Sequence, residues 1–138
     1  MKKNILVLCT GNSCRSQMAH GYLRKMAGDR ANVYSAGVET HGVNPRAIQV
    51  MQEDGIDISG HTSNNISEYR DIHFDIVLTV CDNARERCPV LPGKHKKYHE
   101  NFPDPAKAIG TEEEIMDEFR RVRDLIKVYC VELIAREM

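Results

Sequence analysis

With 138 residues, 41% of them hydrophobic, the chain has the size of one compact domain able to bury about 68–70% of the surface it would expose unfolded. Its 19 basic and 20 acidic residues are interspersed and leave a formal net charge of -1, which gives no electrostatic reason to expect nucleic acid or a membrane as partner. An anion bound by such a chain must be gripped locally.

The chain opens with MKKNILVLC, two lysines and an apolar run before a cysteine. Ile5 to Leu8 is far shorter than the about 7–15 apolar residues of an export signal, and no small-residue cleavage site follows. No apolar run approaches the ~18 residues of a membrane span, and the protein is expected to be cytoplasmic. There, cysteines stay reduced unless their chemistry uses oxidation. Cys9, Cys14, Cys81, Cys88 and Cys130 therefore each need a reason.

Ile5 to Leu8 reads as a parallel strand buried on both faces. A helical stripe follows at Met18, Ala19, Tyr22, Leu23 and Met26, then a short strand around Val33 to Ala36. Asn44 is a good N-cap with Pro45 at the first helical position, and Gly55 stands where that helix should end. Ile76 to Val80 is a second buried strand, and Lys96 to His99 a further one before the loop FPDPA. In the last third Thr111 and Glu114 form a capping box, and Ile115, Phe119, Val122, Ile126, Tyr129 and Leu133 repeat at helical spacing. Cys130 borders that stripe as a small core residue.

Alternating strands and helices predict a single α/β domain over 1–138: a three-layer αβα sandwich around a four-stranded, mainly parallel sheet. Such sheets bind ligands beyond the carboxyl ends of their strands, where strand order reverses. Cys9 and Cys81 each follow a buried run, so both thiols are expected on the same edge, about 4.8 Å apart in backbone if their strands are neighbours.

The loop CTGNSCRS joins the first strand to the first helix. A loop in that position can point successive N–H groups inward as a nest for an oxyanion, with the positive end of the helix behind it. Thr10, Gly11, Asn12, Ser13, Cys14, Arg15 and Ser16 are the expected oxyanion-binding residues. Gly11 and Asn12 suit positive φ, and Arg15 can fork two N–H bonds onto a tetrahedral anion. Cys9 at the base of the cradle should have a lowered pKa in that positive field. Ser16 is expected to donate to the thiolate and to cap a helix starting at Gln17, and Cys14 to pack away from the anion.

The Cys-x5-Arg-Ser loop near the N-terminus resembles that of the low-molecular-weight protein tyrosine phosphatases. CTGNSCRSQMA, YSAGVETHGVNP and the pair Cys81 and Cys88 in CDNARERCPVLP are more similar to their relatives, the thioredoxin-coupled arsenate reductases, and the likeness runs on through FRRVRDLIK. The resemblance implies the phosphatase-like, flavodoxin-like fold and a cytoplasmic, monomeric arsenate reductase in arsenic detoxification. It implies Cys9 as nucleophile, Arg15 as anion clamp and Asp104 of the Asp-Pro pair as acid. Phosphate or sulfate would compete with arsenate, and no organic cofactor is implied. Releasing arsenite takes two electrons, more than one thiol supplies. Cys81 can attack Cys9, Cys88 can then attack Cys81 by thiol–disulfide exchange, and thioredoxin resets the cycle.

Were Asp82 to Arg87 helical, Cys81 and Cys88 would stand about 10.5 Å apart along the axis, whereas a disulfide tolerates at most about 7 Å between α-carbons. The segment must then unwind when the bridge forms. Some reductases of this family hold a potassium ion through residues corresponding to Asn12, His20, Ser35 and Asn64. His20 and Asn64 replace acidic positions here, and no metal is expected. His95 and His99 read as surface residues. Two other readings remain: a phosphatase, although Ala106 and Lys107 replace the aromatic wall that usually follows Asp-Pro, and a non-catalytic redox or oxyanion sensor docking a partner through 81 to 92.

Overall fold

The computed structural model describes residues 2–89 and 91–138. In chain order it runs β1 (Lys3–Cys9), α1 (Arg15–Ala27), β2 (Ala31–Gly37), α2 (Pro45–Glu53), β3 (Ile76–Thr79), α3 (Asp82–Arg87), β4 (Lys96–His99) and α4 (Glu112–Glu137), with 3-10 turns at Gly28–Arg30, Ile66–Tyr69 and Pro105–Lys107. The sheet order is β2-β1-β3-β4 and each pairing is parallel. The expected α/β architecture is therefore present. The chain steps outward from β1 to β2 and then crosses back to β3, so strand order reverses between β1 and β3, directly beneath the ends that carry Cys9 and Cys81.

Each element has a local cause. Ile5 to Leu8 and Ile76 to Thr79 are wholly buried, as central parallel strands require. Asn44 Oδ1 accepts from the amides of Arg46 and Ala47 at 2.8 and 3.4 Å, and Pro45 opens α2. Gly55 follows the end of α2 at φ 78°, a left-handed position that suits glycine. Thr111 and Glu114 exchange their capping-box bonds at 3.2 Å each.

Two details depart from the sequence reading. α1 begins at Arg15, not Gln17, and Cys14 occupies its cap without a side-chain bond. The two faces of the sheet are also covered unequally. α1, α2 and α4 pack on one another, and α1 meets the Ser35 face through His20. On the Tyr34 face an edge-to-face trio of Tyr34, Tyr69 and Phe74 closes the core beside the Ile66–Tyr69 turn.

Phe119 is fully buried on α4. Phe119→Ala should lower unfolding stability by about 3–5 kcal/mol in urea titration with an unchanged slope, the cost of lost transfer energy plus a cavity.

Candidate active site

The loop after β1 owes its shape to what its carbonyls do. The carbonyls of Cys9, Thr10, Gly11 and Ser13 accept from the amides of Val38, Glu39, His41 and Asn44 at 3.3, 2.9, 2.9 and 3.1 Å. The Asn12 carbonyl accepts from Gln17 Nε2 at 3.1 Å. With the oxygens drawn outward toward the segment between β2 and α2, the loop amides are left for an anion. Asn12 adopts φ 49°, the positive-φ value expected of it. Its side chain is buried, donating to Ser16 Oγ at 2.8 Å and accepting from the Asn64 amide at 2.8 Å.

Gly11 is needed for a different reason from the one anticipated. Its φ is not positive; instead the His41 ring lies so close that a β-carbon would meet Nδ1 at 2.3 Å. Gly37, at the end of β2, is more constrained still. A β-carbon there would meet the Glu39 and Thr10 carbonyls at 2.2 and 2.7 Å and the Asn12 amide at 2.8 Å.

The loop opens onto a cavity of about 500 Å³ whose lining includes Cys9, Arg15, Cys81 and Asp104, bringing four of the predicted residues together. Arg15 is the first residue of α1; it donates to the Phe102 carbonyl at 3.1 Å and stands 3.6 Å from Asp104 Oδ2. Asp104 Oδ1 accepts from the Ala106 amide at 3.0 Å, so the second proline-bracketed oxygen is the one turned to Arg15. Cys14 lines the cavity as well as belonging to the buried core, rather than packing away from it. Ser16 lies within α1 and partners Asn12, not the helix end.

Cys9 and Cys81 are both buried, and their thiols hydrogen-bond to each other. That bond, together with burial, pushes Cys9 up despite Arg15 and the Thr10 amide. The same bond brings Cys81 down to about 5, helped by Thr10 Oγ1 at 3.2 Å, the Ala84 amide and Arg15. Where a lowered Cys9 was expected, Cys9 is shifted up and Cys81 down, and the two sulfurs share one proton. Asn83 Nδ2 donates to Thr10 Oγ1 at 2.9 Å, which directs the threonine hydroxyl proton toward the sulfur. Cys88 is separate, half-buried at the end of α3 with its thiol 3.5 Å from the Pro89 carbonyl. All five cysteines are free thiols.

One residue important to this geometry was not anticipated, and the partners of two others were not. Gln17 is fully buried and donates to both the Asn12 and Thr62 carbonyls, at 3.1 and 3.0 Å, while its Oε1 meets His61 Nδ1 at 2.9 Å. Nothing in its spacing marks it. His20 Nδ1 lies 2.8 Å from Ser35 Oγ, and the ring stacks on His61 at 4.3 Å. Burial lowers His20 to about 3, so this cluster of Asn12, His20, Ser35 and Asn64 is electrically neutral around the imidazole. His95 and His99 are half-buried at the surface, and both ring nitrogens of His99 are engaged, each 2.7 Å from a partner, Thr79 Oγ1 and Asp82 Oδ1.

Thiolate absorbance in the ligand-free protein should rise by one equivalent around pH 5 and be lost in Cys81→Ser; an inflection only in the ordinary thiol range near 8.5 contradicts the shared-proton pair. Gly37→Ala should weaken phosphate binding at least tenfold by isothermal titration, because backbone atoms of the anion loop must move to admit the methyl group.

Residues 4–137 match the family described as low molecular weight phosphotyrosine protein phosphatase. Arsenate reductase 1 of Staphylococcus epidermidis is 56% identical over 126 residues, covering 91% of both chains. The arsenate reductase of Bacillus licheniformis is 54% identical over 125 residues, 91% of this chain and 90% of its own. Among solved structures, an arsenate reductase in the phosphate binding state superposes with a TM-score of 0.81 at 32% identity, covering 99% of each chain. With the cysteine at the strand end, the arginine at the helix start and the aspartate across the cavity all in place, this chain belongs to the low molecular weight phosphotyrosine protein phosphatase family.

Proposed function

We propose that the protein is an arsenate reductase that uses Cys9 as nucleophile and Cys81 and Cys88 as a disulfide relay. The observation that carries this reading is the second thiol, Cys81, hydrogen-bonded to Cys9 in the lining of the same cavity; hydrolysis needs only one. Relatives 54% and 56% identical bear the name arsenate reductase, which supports the choice of substrate.

Arsenate enters the cradle against the loop amides and Arg15. Cys81 takes the Cys9 proton, as a neighbouring base activates a nucleophile. The Cys9 thiolate forms an S–As bond while one arsenate oxygen leaves as water, protonated by Asp104. Cys81 passes the proton it accepted to an arsenic-bound oxygen and, again a thiolate under Thr10 and the Ala84 amide, attacks Cys9 Sγ. The S–S bond forms, the S–As bond breaks with its electron pair on arsenic, and arsenic leaves as arsenite, two electrons reduced. Cys88 then attacks Cys81, Cys9 departs as thiolate, and the oxidised pair is Cys81–Cys88.

α3 constrains the last step. Cys81 and Cys88 cap its six residues, so about 10.5 Å of helical rise must shorten to at most about 7 Å. Thioredoxin is the external dithiol of this scheme, the cytoplasm its compartment and a monomer its working unit. No helix among the described residues is long and apolar enough to cross a membrane. A phosphatase reading draws on the same cradle, with water in place of Cys81, but exposed Ala106 and Lys107 provide no aromatic wall for a phosphotyrosine ring.

Arsenate-dependent NADPH consumption with thioredoxin and its reductase should be abolished in both Cys81→Ser and Cys88→Ser while aryl phosphate hydrolysis survives. Phosphatase activity indifferent to both, with no arsenate turnover in the parent, selects the phosphatase; absence of both activities selects the sensor. Hydrogen exchange over 82 to 92 should be faster in the oxidised form, and identical exchange in the two forms contradicts unwinding.

A further inference from the structure

α3 bears the relay cysteines at its two ends, yet only Ala84 of its six residues is buried. A helix this short does not hold itself in water, and one methyl group adds little. Polar tethers must keep it wound. Besides Asn83, which donates to Thr10 Oγ1 at 2.9 Å, one tether meets the first residue of the helix through a half-buried histidine. Asp82 Oδ1 accepts from His99 Nε2 at 2.7 Å, and His99 Nδ1 lies 2.7 Å from Thr79 Oγ1. The backbone amide of Asp82 donates to Asn101 Oδ1 at 3.1 Å.

The anchor for this chain is rigid. Thr79 and His99 are register partners at the carboxyl ends of β3 and β4, and Thr79 is buried. The imidazole is thus fixed to the sheet on one side and grips the helix on the other. A carboxylate oxygen can only accept, so Nε2 bears a proton and the bond is charge-assisted. The other contact to the same carboxylate is long and exposed, Arg85 at 3.8 Å. The tether at the far end, Arg87 to Glu39, is open to solvent on both partners.

We propose that Asp82, His99 and Thr79 form a latch that holds α3 wound in the dithiol form and must release for Cys88 to reach Cys81. The proposal rests on the disulfide relay argued above. Closing the bridge requires the residues between the cysteines to leave helical geometry, and Asp82, bonded directly to Cys81, moves with it. The latch therefore favours the dithiol over the disulfide and raises the midpoint potential of the Cys81–Cys88 couple. It also orders the relay: Cys81 stays at Cys9, away from Cys88, until Cys9 has reacted. His99 acts here as a positioning residue.

The test is a redox titration against dithiothreitol and its oxidised form, with the Cys81–Cys88 bridge quantified by peptide mass mapping. A Cys9→Ser background isolates a two-electron couple and makes the reading independent of arsenate. His99→Phe and Asp82→Ala should each favour the bridge by about tenfold, a midpoint about 30 mV lower. The double variant should go no further than either alone, because both remove one interaction. Asp82→Asn, which keeps an acceptor and covers the case in which His99→Phe fails to fold, should shift less than Asp82→Ala. Midpoints that stay at the parental value, or effects that multiply in the double variant, overturn the latch while leaving the relay intact. A parent that forms no bridge at all overturns both.

Discussion

The site depends on where the carbonyls of one short loop point. A strand-to-helix connection has as many acceptors as donors, and an anion is seated only if the acceptors are satisfied elsewhere. Here the amides of Val38, Glu39, His41 and Asn44 and the side chain of Gln17 take that role. The segment between β2 and α2 thus shapes the binding site through its backbone, and its His41 also lines the cavity. Gly37 is glycine because the segment returns so close to the loop that no side chain fits between them.

Onto this cradle the fold adds a conflict. The same sheet edge delivers two thiols, and burial together with their mutual bond leaves them one proton. A hydrolase needs no such pair, and a second sulfur beside the nucleophile competes with it for the charge. The arrangement is useful if the second sulfur first serves as base and then as attacker. The third thiol stands at the far end of α3, and in the proposed relay that helix must unwind before Cys88 can reach Cys81. In that scheme, position along α3 as well as reactivity decides which sulfur meets which.

Much of this was readable from the chain, for physical reasons that differ by element. Two apolar runs too short for helices and ending in cysteine placed Cys9 and Cys81 on one edge, because a buried parallel strand has little freedom in how it ends. Asn44-Pro45 and Thr111 with Glu114 located helix starts through capping chemistry that acts within four residues. The charge distribution within the site was not readable. The lowered Cys81 and raised Cys9 follow from a contact between residues 72 apart in sequence, which spacing does not encode. Gln17 was passed over, and His20 and His99 were weighed without their partners, for the same reason: each gets its role from partners on other elements, and a lone polar residue in the sequence carries no sign of them. The start of α1 at Arg15 was missed because the anion loop winds directly into the helix without a side-chain cap.

The central claim is that three sulfurs exchange partners at the rim of one anion seat. It is tested most directly by exposing the fully reduced protein once to arsenate in thiol-free buffer and mapping the cysteines by mass spectrometry. The account predicts one disulfide, Cys81 to Cys88, with Cys9, Cys14 and Cys130 free and one arsenite released per chain. Five free cysteines after that exposure would contradict it.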